Sequence, residues 1–225
     1  MKKIQLIQQI KEQGLVAVLR ADSSDEVVKM AEEAIAGGIK IIEITMTVPN
    51  ALQAIKHLTA RYSSDPQSKM PFAVIGSGTV LDAPTARACI LAGSQYIVAP
   101  SLNTETVKMC NLYRVPILPG VMTITEIQQA LELGADIVKL FPGNLYDPSI
   151  IKTIKGPLPQ ANILPSGGVN VQNLGDWIRA GAFAVSIGSD LTMEAVASGD
   201  MSRVREQAKR YVEAYHQAIG TQKGY

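Results

Sequence analysis

The sequence predicts an α/β protein, a closed (β/α)8 TIM barrel with an extra helix at its N-terminus. Short apolar runs alternate with amphipathic helical segments along the whole chain, which is the pattern of parallel strands joined by helices. Many helical segments end at an Ala-Gly or Leu-Gly pair just before the next apolar run, and glycine suits the left-handed position after a helix end. The chain has 225 residues, 47% of them hydrophobic, and a single barrel commonly has this size. We therefore expect residues 1–225 to form one domain.

The predicted elements follow one another in a regular order. Strands are expected at residues 15–19, 41–44, 73–75, 96–98, 116–118, 137–140, 163–164 and 184–187. The spacing of apolar residues predicts helices at 25–36, 84–91, 123–133 and 171–180, and terminal helices at 4–13 and 201–219. The first terminal helix is expected to cover the barrel floor and the last to complete the outer ring. Glycines mark five predicted helix ends, at Gly37-Gly38, Gly93, Gly134, Gly181 and Gly199.

An open, doubly wound sheet is the alternative architecture. The segment Gly76-Ser77-Gly78-Thr79 lacks the third glycine and the downstream acidic residue of a dinucleotide-binding motif. Eight strand-helix units in a chain of this length favour the closed barrel. Residues 62–69 are too short to separate two domains, and we expect them to form a surface loop.

The composition argues against several classes of partner. The net charge is +1 and no basic run is present, so neither nucleic acid nor a membrane surface is expected as a partner. Polar residues interrupt the apolar ones near the N-terminus, which excludes a signal peptide or a membrane span there. Cys89 and Cys110 have no framework spacing, so we expect a reduced, cytoplasmic protein. His57 and His216 have no ligand-like neighbours, so no metal site is expected.

In a barrel of this kind the active site forms at the C-terminal ends of the strands. The residues at those ends are therefore the candidates for function. They are Arg20, Glu43, Thr45, Thr47, Thr79, Pro100, Lys139, Phe141, Ser166, Gly167, Gly168, Gly188 and Ser189.

Lys139 is the most informative candidate because it lies in an apolar strand, where an ammonium group is costly to bury. Residues two apart on a strand share a face. Lys139 therefore points away from Val138 and Leu140, and Glu43 likewise points away from its own apolar neighbours. Both charged side chains are expected inside the barrel. Burial favours a neutral amine, which can attack a carbonyl group, so the pair predicts either a catalytic site or a structural ion pair.

Two glycine-containing turns form a second group of candidate functional residues. Ser166, Gly167 and Gly168 precede one helix, and Gly188 and Ser189 precede another. Backbone N–H groups at a helix N-terminus bind anions, and the loops after the last two strands are where this architecture commonly holds phosphate. Ordinary tight turns are the alternative interpretation. With Lys139, these turns suggest a phosphorylated keto substrate.

Seven short segments occur in a fixed order and spacing: residues 17–20 (AVLR), 42–45 (IEIT), 75–80 (IGSGTV), 98–100 (VAP), 118–120 (LPG), 138–142 (VKLFP) and 165–169 (PSGGV). Together they resemble the bacterial 2-keto-3-deoxy-6-phosphogluconate aldolases, grouped with the 4-hydroxy-2-oxoglutarate aldolases. The resemblance covers nearly the whole chain. It implies a class I aldolase on a (β/α)8 barrel, a homotrimer that needs no metal or cofactor and acts on a small phosphorylated keto acid.

The resemblance also implies residue roles. Lys139 matches the Schiff-base lysine and Glu43 the general acid–base glutamate. Thr79 matches a threonine near the keto-acid carboxylate. The pocket lining and the phosphate loops correspond to Pro100, Phe141, Gly167, Gly168 and Ser189.

Two positions depart from the family pattern. Many members carry arginine where this chain has Thr47, and that arginine helps to hold the substrate carboxylate. Arg20, which shares a predicted face with Val18, is placed to supply the charge instead. Ser166 stands where many members have threonine, and it retains the hydroxyl group.

The implied reaction begins with attack of the Lys139 amine on the C2 carbonyl of the keto acid. The resulting imine allows the C3–C4 bond to break, glyceraldehyde 3-phosphate leaves, and hydrolysis releases pyruvate, with Glu43 moving protons. Other substrates remain open, namely 4-hydroxy-2-oxoglutarate and the galactonate epimer. So do two other classes: a sugar-phosphate epimerase or isomerase, and a non-catalytic phosphate-binding barrel.

Overall fold

The computed structural model describes residues 2–220, in which short strands alternate with helices. The strands are β1 (Leu15–Leu19), β2 (Ile41–Thr45), β3 (Val74–Gly78), β4 (Ile97–Val98), β5 (Ile117–Leu118), β6 (Gly120–Val121), β7 (Val138–Leu140), β8 (Ile163–Pro165) and β9 (Val185–Ile187). The helices are α1 (Lys2–Gln13), α2 (Ser24–Ala36), α3 (Ala51–Arg61), α4 (Ala83–Leu91), α5 (Thr104–Leu112), α6 (Ile124–Glu132), α7 (Ile150–Lys155), α8 (Leu174–Arg179), α9 (Ser189–Ser198) and α10 (Ser202–Gly220), with a 3-10 turn at Gly143–Leu145. Residue 1 and residues 221–225 of the predicted single domain lie outside this range.

The strand pairings are parallel and form two sheets. Six strands lie in the order β5-β4-β3-β2-β1-β9, and three lie in the order β6-β7-β8. One parallel bridge between Ser166 and Ser186 connects the end of β8 to β9. β5 and β6 are separated only by Pro119, which has no N–H group to donate to a ladder. The predicted α/β class with a parallel sheet is confirmed, and the larger sheet forms a half-barrel.

Alternate residues of several strands pack on opposite sides of the sheets, in separate hydrophobic clusters. Val16, Ile41 and Ile137 pack inside, together with Leu6 and Ile10 from α1. Their strand neighbours pack outside against the helices, as shown by Ala17, Ile42, Ile44, Val138 and Leu140. The face assignment made from the sequence is therefore correct, and α1 contributes to the interior core.

Local signals set the helix boundaries. The side chains of Ser23, Asp82, Asn103 and Thr123 accept hydrogen bonds from backbone N–H groups in the first turns of α2, α4, α5 and α6, which satisfies donors that have no partner within the helix. The five predicted glycine ends are confirmed by positive φ angles at Gly38, Gly93, Gly134, Gly181 and Gly199.

Two predicted boundaries were wrong by three residues. β3 extends through Gly76 and Gly78, which were expected to follow the strand; these glycines face inward, where neighbouring side chains occupy the space. α8 begins at Leu174 instead of residue 171, because Asn170 and Asn173 form reciprocal bonds between side chain and backbone. These bonds offer the backbone an alternative to helix.

Within residues 2–220, no helix is long and apolar enough to cross a membrane, and no cluster of three or more potential metal ligands occurs. Cys89 and Cys110 are buried and unpaired.

Candidate active site

Glu43 and Lys139 meet between the larger and the smaller sheet. The Lys139 Nζ lies 3.8 Å from the Glu43 Oε1, and the two residues are only 4% and 0% exposed. The centre of the Phe141 ring lies 5.1 Å from the same Nζ. β2 carries Glu43 in the larger sheet and β7 carries Lys139 in the smaller one. The structure therefore brings together the two side chains that strand alternation had placed inside.

Glu43 fits in the interior because glycine lies beside it. In the register of β2 and β3, Glu43 pairs with Gly76 and Thr45 pairs with Gly78. A Cβ atom at Gly78 would overlap the Glu43 carboxylate. Both carboxylate oxygens are buried and have no hydrogen-bond partner within residues 2–220. No hydrogen bond from the described residues therefore occupies the carboxylate that faces Lys139.

Two further polar groups in the interior were not singled out from the sequence. The hydroxyl groups of Tyr96 and Ser186 are buried and have no hydrogen-bond partner among the described residues. Burial, and then the charge of Glu43, raise the pKa of Tyr96 well above its ordinary value. The Tyr96 ring packs on Gly76, where a Cβ atom would overlap it. Strand alternation could have identified Tyr96, since it lies two residues before the inward-facing Val98.

Thr45, Thr47 and Arg20 lie at the ends of β1 and β2. The buried Thr45 hydroxyl donates to the Leu19 carbonyl at 3.2 Å and lies 2.8 Å from the Thr47 hydroxyl, so it ties the two strand ends together. Thr47 is exposed. Arg20 is exposed directly after β1, and no carboxylate of residues 2–220 lies within ion-pair distance of it. Because Val18 pairs with Glu43 in the register, Arg20 continues the inward-facing side of β1 beyond the strand end.

Thr79 and Pro100 follow β3 and β4 at the same end of the strands. Thr79 has a φ of 57°, a left-handed conformation that is strained for a β-branched residue and is found disproportionately at functional sites. The Pro100 carbonyl packs so closely on Gly120 that a Cβ atom there would overlap it. Both residues are half-buried. The predicted pocket-lining positions are thus at the rim, with their side chains partly open to solvent.

The two glycine-containing turns converge on one cavity. A cavity of about 170 Å³ is lined by Gly167, Gly168, Val169, Asn170, Gly188, Ser189 and Asp190. Gly167 and Gly168 have φ angles of 98° and 75°, which glycine adopts without strain. Gly188 immediately precedes α9, and the first N–H groups of a helix have no partner within it. Such a cavity has the chemistry of an anion site.

Ser166 connects the two parts of the site. Its N–H group donates to the Leu140 carbonyl at 3.0 Å, and its own carbonyl accepts from Gly143 at 2.7 Å. Ser166 therefore follows the strand end beside Lys139 and leads directly into the cavity at Gly167. The predicted residues fall into two groups: a charged interior pair with the residues at its rim, and the glycine-lined cavity that follows Ser166.

The chain is similar to known aldolases over most of its length. The family model described as KDPG and KHG aldolase matches residues 6–207. The 2-dehydro-3-deoxy-6-phosphogalactonate aldolase of Escherichia coli (strain K12) is 34% identical over 206 residues, which are 91% of this chain and 96% of that protein. The 2-dehydro-3-deoxy-phosphogluconate aldolase of Pseudomonas aeruginosa is 30% identical over 91% of this chain and 90% of its own.

One similar solved structure contains a covalent reaction intermediate. It is the KDPG aldolase of Legionella pneumophila with pyruvate captured as a covalent carbinolamine, with 26% identity and a TM-score of 0.76. The match covers 87% of this chain and 92% of that one.

Proposed function

This chain belongs to the KDPG and KHG aldolase family, and from that membership we propose that it cleaves 2-keto-3-deoxy-6-phosphogluconate to pyruvate and glyceraldehyde 3-phosphate through a Schiff base on Lys139. The observation that carries the proposal is the buried pair of Lys139 and Glu43, 3.8 Å apart, with both carboxylate oxygens unpartnered. A purely structural buried ion pair is stabilising only with close geometry and additional hydrogen bonds, and this pair has neither.

The proposed reaction uses groups of the chain itself and needs no metal or cofactor. The neutral Lys139 amine adds to the C2 carbonyl, and Glu43 transfers protons to give a carbinolamine that loses water. The iminium then accepts the electron pair of the C3–C4 bond, while a base removes the C4 hydroxyl proton and the aldehyde leaves. Glu43, directly or through a water, is that base. Protonation of the enamine at C3 and hydrolysis of the imine return the free amine and release pyruvate.

The two ends of the substrate are assigned to different parts of the site. Arg20 and Thr79 bind the carboxylate next to the reacting carbonyl, and Pro100 and Phe141 line the pocket. The cavity formed by Gly167, Gly168, Gly188 and Ser189 binds the phosphate, whose remote contacts orient the reacting end. Arg20 takes the place of the family arginine because Thr47 carries no charge.

Three broader assignments accompany this function. The parallel pairings and the Ser166–Ser186 bridge support a closed (β/α)8 barrel with α1 as its extra helix. Large exposed apolar side chains, among them Leu145, Met122 and Ile124, support a homotrimer of the kind that the family resemblance implies. The two unpaired cysteines support a place in the cytoplasm.

The galactonate epimer is the second candidate substrate. The relative from Escherichia coli named for that substrate is 34% identical to this chain, compared with 30% for the gluconate-named relative from Pseudomonas aeruginosa. Both candidates use the same bond cleavage and differ in configuration at C4.

A cleavage assay on four compounds tests the proposal. The gluconate and galactonate epimers, each with and without the 6-phosphate, are incubated with the enzyme and pyruvate is measured. We expect the phosphorylated gluconate compound to have the highest kcat/KM, and Lys139→Met to abolish pyruvate release. A preference for the galactonate compound would change the proposed substrate and leave the proposed bond cleavage unchanged. Epimerised sugar without pyruvate would indicate an epimerase and overturn the proposal.

A further inference from the structure

Asp190 lies where a negative charge should oppose phosphate binding. It is the second residue of α9 and lines the anion cavity. A carboxylate in the first turn of a helix competes with an anionic ligand for the positive end of the helix dipole and repels it. A phosphate site on this helix therefore requires that the Asp190 carboxylate be held away from the ligand.

Two side chains of α10 hold this carboxylate. The Tyr211 hydroxyl donates to the Asp190 Oδ2 in a short hydrogen bond, and the Gln207 Nε2 donates to the same oxygen at 2.9 Å. The Tyr211 hydroxyl oxygen also lies 3.3 Å from the carbonyl of Val169, on the other loop of the cavity. Burial, and then the bond to Asp190, raise the pKa of Tyr211 above its ordinary range. The hydroxyl is therefore protonated and a donor at neutral pH.

We propose that Tyr211 and Gln207 are positioning residues for substrate phosphate, because they fix the Asp190 carboxylate against α10 and leave N–H groups facing the anion. Neither residue lines the cavity, so both act through Asp190. The proposal rests on the proposed function, which places the phosphate in this cavity. It adds that phosphate recognition here depends on a hydrogen-bonded carboxylate outside the reacting centre.

The test compares a phosphorylated with an unphosphorylated substrate in variants of the two positioning residues. Tyr211→Phe removes the hydroxyl but keeps the buried ring, and Gln207→Met removes the second donor at a half-buried position. Tyr211→Phe should raise KM for 2-keto-3-deoxy-6-phosphogluconate and the inhibition constant of inorganic phosphate about tenfold, with kcat unchanged. KM for 4-hydroxy-2-oxoglutarate should not change. Gln207→Met should act in the same direction with a smaller effect.

A double variant distinguishes an effect of the Asp190 charge from structural damage. In the double variant Tyr211→Phe with Asp190→Asn, the repelling charge is absent, so KM should return close to that of Asp190→Asn alone. Tyr215→Phe is the matched control, since Tyr215 is buried one turn further along α10 and packs beside Gly14. We expect it to leave both KM values unchanged.

Two results would overturn the inference. One is an equal rise in KM for both substrates in Tyr211→Phe and Gln207→Met, and the other is a double variant as impaired as Tyr211→Phe. If Tyr211→Phe does not fold, an unchanged KM for the phosphorylated substrate in Gln207→Met would overturn the inference by itself. If the wild-type enzyme does not prefer the phosphorylated substrate and inorganic phosphate does not inhibit, the phosphate site is itself wrong, and the proposed substrate fails with it.

Discussion

Glu43 occupies the interior because the neighbouring strand offers no side chain at Gly78. A Cβ atom there would overlap the carboxylate, and the Glu43 oxygens form no hydrogen bonds to residues 2–220 that would hold the side chain in place. The position of Glu43, the proposed acid–base group, is thus set by the space beside it, and a single methyl group at residue 78 is enough to change that position.

Gly78→Ala should lower kcat by about 100-fold, because the displaced carboxylate no longer reaches the reacting atoms. Steady-state kinetics with near-UV circular dichroism as a check on folding measures this. Ser77→Ala is the control, since the Ser77 hydroxyl bonds to Ser94 at 2.8 Å on the other face of β3, and its kcat should not change. A Gly78→Ala enzyme with wild-type kcat would contradict the role of Glu43.

Arg20 provides the second prediction at this scale. Arg20→Gln should raise KM for the keto acid by roughly tenfold to a hundredfold, because a charge-assisted hydrogen bond to the carboxylate is lost. Arg20→Lys retains the charge and should be less impaired. Adding Thr47→Arg to Arg20→Gln should restore binding. If Arg20→Gln leaves KM unchanged, the carboxylate is bound elsewhere.

The inward direction of Glu43 and Lys139 could be predicted at the residue scale because strand alternation is strict. Two features could not be predicted: the absence of hydrogen bonds from residues 2–220 to the Glu43 oxygens, and the bond between Tyr211 and Asp190. Both depend on contacts between elements that are far apart in the chain. Arg20 and Thr79 could be placed at strand ends, but the exposed position of the first and the left-handed φ of the second are set by the loops.

Among the elements, the start of α6 shows the most complete cap. The Thr123 side chain accepts from the Glu126 N–H at 3.2 Å, and Glu126 accepts from the N–H groups of Met122 and Thr123 at 2.8 and 2.9 Å. The bond from Met122, together with those from Thr123, lowers the pKa of Glu126, and burial opposes this only in part. This reciprocal arrangement fixes the turn that leads from β6 into α6.

Glu126→Gln should therefore reduce the free energy of unfolding at neutral pH and not in acid. A carboxyl group whose pKa is lowered on folding stabilises the protein above its unfolded-state pKa, and this contribution is lost as the pH falls through the folded-state pKa. Urea unfolding of both proteins from neutral pH to below the ordinary glutamate value of 4.5 measures the difference. A gap that stays constant in acid would contradict the ionised cap.

Element positions were predictable where the local signal was complete, as in α2, β1 and β7. They were not where tertiary contacts decide. β3 continues through two glycines because Tyr96 and Glu43 fill the space beside them, and the side-chain bonds of Asn170 and Asn173 delay α8. A sequence pattern cannot show either effect.

Across the whole molecule, the interior has a polar end and an apolar end. Leu6 and Ile10 of α1 pack with Val16, Ile41 and Ile137, on the same strand faces that carry Glu43 and Lys139 further along. An ion pair of Lys3 with Asp136 at 2.7 Å also ties α1 to the segment that leads into β7. We infer that α1 stabilises the fold from the end opposite to the chemistry.

Ile10→Ala should reduce the free energy of unfolding by about 2–5 kcal/mol, because it leaves a cavity in a fully buried position. It should not change kcat under conditions where the protein is folded. Denaturant unfolding and steady-state kinetics measure the two quantities. Ile4→Ala, in the same helix but 55% exposed, should be nearly neutral. A loss of kcat in folded Ile10→Ala would show that α1 affects the site directly.

The α/β class and the parallel sheet were foreseeable because each strand-helix unit repeats one local pattern, and the interior pair followed from that pattern together with strand alternation. The cavity at Gly167 and Ser189 was expected from the positions of the glycines. The contact of Tyr211 with Asp190 beside this cavity was not expected, because the sequence of α10 indicates an amphipathic helix and does not show which of its side chains contact the loops. Polar contacts of this kind, between residues far apart in the chain, cannot be predicted from the local sequence pattern.

Trapping of the imine tests the central claim most directly. The protein is incubated with pyruvate and reduced with borohydride, and its peptides are mapped by mass spectrometry. We predict one reduced pyruvyl group on Lys139, and none in Lys139→Met. Lys40 is the internal control, because burial lowers its pKa while its amine bonds to the Ile35 carbonyl at 2.8 Å and has no place in the proposed site. Absence of the adduct, or an adduct on Lys40 or any other lysine, would contradict the account.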